Sequence, residues 1–217
     1  NNAIVVYPHG YGNSWNFGQC CDPANEAGID DYGFLRTLIY HTSDTFPVDS
    51  DRVYMTGWST GCAMAQAFAN DASDILTAMA CMSMYLLEEP SSGYNAIPIM
   101  EIHGLEDPIA PYGSLITSSI IFQQQVWFTG AEQNLFEWKE MNGCTGDLPT
   151  LSETNVGYTV QEFTDCDNDS EVALVTLNVA THNVYLKNDP GSPEPGNPGQ
   201  VDTPQIAWDF MSRFSKQ

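Results

Sequence analysis

Apolar residues fall in short blocks along the chain, and the blocks alternate between two periods. Residues 3–7, 78–85 and 97–102 are nearly continuous apolar runs, the composition of strands buried on both faces of a parallel sheet. Residues 52–56, 158–163 and 172–179 also read as strands. Between them the spacing turns helical. Phe34, Leu35, Leu38 and Ile39 share one face over residues 30–40, behind Asp30 and Asp31, which suit a helix start. Residues 62–70 form a small-residue helix, and amphipathic helices are predicted over 112–128 and 131–142, with a last one over 203–214. Residues 190–204 hold five prolines and three glycines and read as a loop. Strands alternating with helices predict an α/β fold: a mostly parallel sheet with helices on both faces, built as one domain over residues 1–217.

The turn between the strand at 52–56 and the helix at 62–70 is Gly57-Trp58-Ser59-Thr60-Gly61. A serine in a tight strand-to-helix turn has its hydroxyl above the sheet edge. The two glycines are expected to remove side chains that would clash there, and the helix N-terminus aims backbone N–H groups at a developing oxyanion. Serine needs a base, and the base needs an orienting acid. Asp107 follows the strand ending at Ile102, and His182 follows the strand 172–179, so the chain order Ser59, Asp107, His182 is that of α/β-hydrolases. Glu106 is the competing acid. Of the four histidines, His41 sits at a helix end and His103 lies on a strand, where it packs or bonds locally.

Charge narrows the partners. The chain carries 28 acidic and six basic residues, a formal net charge of -22, which repels nucleic-acid backbones and anionic membranes. No apolar run approaches the roughly 18 residues that a helical membrane span requires. Six cysteines, at 20, 21, 62, 81, 144 and 166, match no zinc or redox spacing and predict disulfides in an exported protein, extracellular or periplasmic. Cys20 and Cys21 are expected to pair with different partners, because a bridge between neighbours strains the peptide joining them. The acids Asp165, Asp167, Asp169 and Glu171 lack the glycine and spacing of a calcium loop, and neither a metal nor an organic cofactor is expected.

Several motifs together resemble the secreted poly(3-hydroxybutyrate) depolymerase and feruloyl esterase family. They are Val5-Val6-Tyr7-Pro8, Ser14-Trp15-Asn16 with Gly18 and Cys20-Cys21, Phe34-Leu35-Arg36, and Asp51-Arg52-Val53-Tyr54 leading into the serine turn. The resemblance continues through Ile102-His103-Gly104, Asp107-Pro108, Asn142-Gly143-Cys144, Cys166, His182 and Ile206-Ala207-Trp208-Asp209-Phe210. It implies an α/β-hydrolase fold, ester hydrolysis through an acyl-enzyme and a Cys144–Cys166 bridge.

Two departures stand out. The histidine loop reads Ala180-Thr181-His182-Asn183-Val184-Tyr185 and lacks the tryptophan that helps line the family's substrate site. The opening run matches the family's fourth strand, so the third strand with its His-Gly oxyanion loop has no counterpart; either the chain is a shortened form or residues precede Asn1. His9-Gly10-Tyr11-Gly12 looks like a replacement loop, in which the N–H of Tyr11 would join that of Thr60 if residues 3–7 lay beside the serine strand.

The expected substrate is therefore an ester or polyester, lined by Trp58, Tyr11, Trp15 and Tyr185, with Trp58 equally readable as core. The expected protein is a monomer or weak homo-oligomer. A non-catalytic binding domain is the rival from another class.

Overall fold

The computed structural model describes residues 3–18, 20–119, 124–187 and 201–216. Its centre is a six-stranded sheet in the order β1-β2-β3-β8-β7-β6. The members are β1 (Tyr54–Met55), β2 (Ala78–Met82), β3 (Ile99–Gly104), β6 (Leu151–Asn155), β7 (Tyr158–Phe163) and β8 (Val172–Leu177). The pairs β1–β2, β2–β3 and β3–β8 are parallel, whereas β8–β7 and β7–β6 are antiparallel. Every residue of β2, β3 and β8 is buried, as expected of strands covered on both faces. Edge strand β6 is exposed throughout, and its polar sequence left it unrecognised among the predicted strands.

Side chains alternate cleanly across the sheet. Met79 and Cys81 of β2, Ile99 of β3 and Val172 and Leu174 of β8 face a core built with α1 (Asp31–Thr45), α2 (Thr60–Asp71) and α3 (Ala131–Met141). Ala78, Ala80 and Met82, Met100 and Ile102, and Ala173, Val175 and Leu177 face a second core closed by Tyr185 and by Ala207, Phe210 and Met211 of α4 (Thr203–Met211). Helices thus cover both faces. Asp30 caps α1 by accepting from the Gly33 N–H, and Asp202 caps α4 by accepting from the Gln205 N–H.

Three expectations give way. Residues 3–7 join no strand of the sheet, and Val5 and Tyr7 stand 67% and 87% exposed. A continuous apolar run becomes a buried strand only where a sheet edge receives it, and β1 is paired on its β2 side alone. The helix expected over 112–128 is replaced by an antiparallel pair, β4 (Leu115–Ser119) and β5 (Gln124–Phe128), in register from Leu115↔Phe128 to Ser119↔Gln124. The β-branched and aromatic residues Ile116, Thr117, Val126, Trp127 and Phe128 fit a pleated surface better than a helix, and that preference outweighs their spacing. Cys20 and Cys21 bond to each other, because Cys62 pairs with Cys81 and Cys144 with Cys166. Residues 190–200 of the proline-rich stretch lie outside the described residues, and Pro204 falls in the first turn of α4, where its missing N–H does no harm.

The C-terminal segment is tied to the sheet by Arg213. Its guanidinium donates to Glu162 at 3.0 Å and to Glu171 at 2.5 Å, and it lies over the rings of Phe210 and Phe214. Burial, then the hydrogen bond and charge of Glu162, push the Glu171 carboxyl up to about 7, with Arg213 pulling the other way. The folded protein therefore holds this proton more tightly than the unfolded chain, and Glu171 makes stability fall as pH rises from the ordinary carboxylate range to about 7. Thermal unfolding measured across that window should decline with pH, and Glu171→Gln should flatten the decline; parallel slopes for the two proteins would refute the assignment.

Candidate active site

Because β1, β2, β3 and β8 are neighbours and parallel, their carboxyl ends open on one edge, where the loops that leave them meet. Ser59 follows β1, Asp107 follows β3 and His182 follows β8. His182 lies 2.8 Å from Ser59 Oγ through Nε2 and 2.8 Å from Asp107 Oδ2 through Nδ1, across separations of 123 and 75 residues. This is the spacing of a nucleophile, base and orienting acid. Glu106 takes no part: its backbone N–H donates to the Ala180 carbonyl, and the acid at the histidine is Asp107.

The serine turn is strained at Ser59. Ser59 has φ 56° and ψ -125°, a backbone conformation that side chains rarely adopt and that clusters at functional sites. The turn is held by a parallel bridge between Trp58 and Met82, with the Ser59 N–H donating to the Met82 carbonyl at 2.9 Å and the Met82 N–H to Gly57. The Ser59 carbonyl accepts from Cys62 and Ala63 as α2 begins, whereas the Thr60 N–H meets no acceptor among the described residues. It is therefore a donor left over at a helix N-terminus.

Of the two turn glycines, one is needed for space. A Cβ on Gly57 would stand 2.2 Å from the Gly61 carbonyl oxygen, but a Cβ on Gly61 would meet nothing within 4 Å, contrary to the expected need for both. A third glycine does more. Gly104, at the end of β3, would bring a Cβ to 2.3 Å from the Ala180 carbonyl oxygen. Its lack of a side chain lets the acid loop lie on the histidine loop, joined by the Glu106 N–H donating to Ala180 at 3.0 Å and the Leu105 N–H to Leu177 at 2.9 Å. The Asp107 carboxylate is then fixed: Oδ1 accepts from the N–H groups of Ile109 and Ala110, both at 2.8 Å, leaving Oδ2 for His182.

The aromatic candidates divide. Trp58 is 43% exposed and its ring lies 5.4 Å from that of His182, so it stands open to solvent beside Ser59 and His182. Tyr185 is fully buried, which removes it as a lining residue. Its hydroxyl instead accepts from the Thr181 N–H at 2.7 Å and so supports the histidine loop from below. Trp15 packs against the main core, and its carbonyl accepts from Cys21. Tyr11 lies in a short turn (Tyr11–Asn13) bonded to Ser14; no hydrogen bond or ring contact among the described residues links it to Ser59, Thr60 or His182, and the strand placement that favoured it as an oxyanion donor is not found. Among the described residues no three His, Cys, Asp or Glu side chains gather as metal ligands: Asp165 accepts from Thr145, and Glu171 from Arg213.

Comparison with known proteins gives distant relatives of one kind. No family model matches the chain. It is 28% identical to feruloyl esterase B of Piromyces equi over 224 residues, covering 99% of this chain and 37% of that protein. It is 26% identical to feruloyl esterase D of Neurospora crassa over 220 residues, or 99% of this chain and 63% of that one. A bifunctional acetylxylan esterase/xylanase of Neocallimastix patriciarum is 23% identical over 98% of this chain and 26% of its own length. The chain thus spans less than two thirds of each of these relatives. Among solved structures, an acetyl xylan esterase from Aspergillus awamori superposes with TM-score 0.51 at 14% identity, over 70% of this chain and 62% of that chain, a likeness of fold.

The glycine geometry is testable by stability alone. Gly57→Ala and Gly104→Ala should each lower unfolding free energy by about 2–3 kcal/mol or more through backbone overlap. Gly61→Ala, in open space on a helix, should be neutral or stabilising by up to about 1 kcal/mol. Denaturant unfolding of the three variants reads the contrast, and an equal loss in all three would contradict it.

Proposed function

We propose that this protein is a secreted serine carboxylic-ester hydrolase that works through an acyl-enzyme on hydroxycinnamoyl or acetyl esters of plant polysaccharides. The observation carrying the proposal is the hydrogen-bonded series Ser59–His182–Asp107 at 2.8 Å per step, ending on a serine in a strained turn with a spare N–H beside it. In this reading His182 takes the Ser59 proton as Oγ attacks the ester carbonyl, and then returns it to the leaving alcohol. Asp107 keeps the Nδ1 proton in place and stabilises the imidazolium. The Thr60 N–H donates to the tetrahedral oxyanion. Water repeats the sequence on the acyl-enzyme and releases the acid.

Substrate class rests on two supports. The named relatives are feruloyl and acetylxylan esterases. Trp58 beside the His182 ring offers a flat apolar wall to an aromatic acyl group or a sugar face. Three disulfides and no free cysteine among the described residues support an exported location.

A burst assay with p-nitrophenyl acetate and butyrate tests the mechanism. The wild-type chain should give a stoichiometric burst followed by turnover, Ser59→Ala should give neither, and Asp107→Asn should lower turnover by about 10⁴-fold. Identical traces for wild type and Ser59→Ala would end the esterase reading. Methyl ferulate, acetylated xylan and polyhydroxybutyrate assayed side by side then separate the substrate classes, the first two being the ones expected to turn over.

A further inference from the structure

Behind the triad lies a second pair of ionisable groups that ester cleavage by Ser59, His182 and Asp107 does not use. Glu101 and His103 stand two residues apart on β3 and so point to the same face, toward α2 and α3, where both are buried. His103 is 0% exposed, its ring stacked on Tyr85 at 5.3 Å and met edge-on by Tyr112. Its Nε2 lies 2.8 Å from the Ala110 carbonyl oxygen, which can only accept, so Nε2 carries a hydrogen. Nδ1 is 2.5 Å from Glu101 Oε1, and this contact therefore holds a single proton shared by an imidazole and a carboxylate.

The other side of Glu101 is equally committed. Oε2 accepts from Asn134 Nδ2 at 2.5 Å; that amide also donates to Gln66, whose oxygen accepts from the Trp138 indole. The pair is thus anchored in two helices at one end. At the other end it reaches the acid of the triad. The His103 Nε2 edge is 3.6 Å from Asp107 Oδ2, and the Ala110 residue whose carbonyl it clasps is the one whose N–H donates to Asp107 Oδ1. The Tyr85 hydroxyl closes the same loop from its far side by donating to the Pro111 carbonyl.

We propose that Glu101 and His103 form a buried proton-sharing pair that positions Asp107, holding the 107–110 turn closed and presenting a partly positive imidazole edge to the carboxylate oxygen that His182 uses. These are positioning residues, since they act through Asp107. The inference rests on the triad reading for its effect on rate but not for its geometry. The titratable groups facing His103 are Glu101 on its own strand, Asp107 from the acid loop, Tyr85 from the segment after β2 and Tyr112 from the loop before β4. Burial alone would lower the His103 pKa, but the hydrogen bond and charge of Glu101, the Ala110 carbonyl and Asp107 outweigh it and raise it. Burial, then the charges of Glu101 and Asp107, hold the Tyr85 phenol in its neutral form.

Two measurements test the pair. Glu101→Gln keeps the shape and can still bond both Asn134 and His103, but it leaves His103 neutral and removes the positive edge at Asp107. The His182 imidazolium then feels a less compensated carboxylate, so the acid limb of the kcat/KM profile should move up by about half a pH unit. KM should hold within about twofold while kcat falls about tenfold. A merely structural glutamate would leave the limb where it is, and a folded variant with an unmoved limb and unchanged kcat would overturn the proposal. The second measurement needs no variant: in nitrogen NMR of the wild-type protein the His103 ring signals should shift as His182 titrates, because both rings address Asp107 Oδ2. His103 signals indifferent to that titration would overturn the pairing even if Glu101→Gln failed to fold. Loss of the Ser59-dependent burst would sink the esterase reading alone, since the NMR coupling is read without turnover.

Discussion

The parallel pairing of β3 with β8 is the contact on which the site depends. In register from Ile99↔Val172 to Gly104↔Leu177, it brings strand ends more than seventy residues apart in sequence to one level of the sheet. Whether the loops beyond those two ends can touch is then a matter of backbone approach. Gly104 allows the acid loop to lie on Ala180, two hydrogen bonds stitch the loops together, and Asp107 meets His182 as a result. A side chain at Gly104 would overlap the backbone of Ala180 and Thr181, so the loops could not keep this approach. The antiparallel strands β7 and β6 extend the sheet beyond β8 and leave β8 an interior strand, buried at every position.

Beneath this edge the sheet is not uniformly apolar. Gln66 of α2, Asn134 and Trp138 of α3, and Glu101 and His103 of β3 form one connected set of buried polar groups. Such a set is costly if any member lacks a partner and rigid if all are satisfied. Its members hold one another: Asn134 donates to both Glu101 and Gln66 and accepts from the Leu86 N–H, and Gln66 donates to the Met84 carbonyl. These bonds orient α2 and α3 against β3. Helix α2 begins at the serine turn and Asp107 follows β3, so the set fixes the helix after Ser59 and the strand before Asp107 relative to each other.

The meeting of Ser59, His182 and Asp107 was legible because each comes after a recognisable strand and a turn signal, so position along the sequence implied position at the sheet edge. The Tyr185 assignment failed for the opposite reason. Its place three residues after His182 says nothing about direction, and the side chain turns down into the second core. Residues 112–128 misled because helical spacing and β-branched composition disagreed there, and residues 3–7 because an apolar run does not reveal whether a sheet edge will receive it. Glu101 and His103 had a visible signal. Two ionisable residues at alternate positions within an otherwise apolar strand must share one buried face, and groups so placed require each other.

A chain with 28 acidic and six basic residues must make its few cations count, because mutual repulsion loosens whatever is not tied down. Three of the six secure the C-terminal segment. Arg213 binds Glu162 and Glu171, Lys216 donates to the Asp74 carbonyl, and Arg52, from the strand side, donates to the Ser212 carbonyl. Arg36 joins α1 to the end of α2 through Asp71 and Asp74. These four cations therefore act as cross-links between segments far apart in sequence, unlike Lys139, which pairs with its exposed neighbour Glu140 in the kind of contact that contributes little. The C-terminal ties keep α4 on the sheet face, where it covers Tyr185, and Tyr185 in turn supports the loop that carries His182.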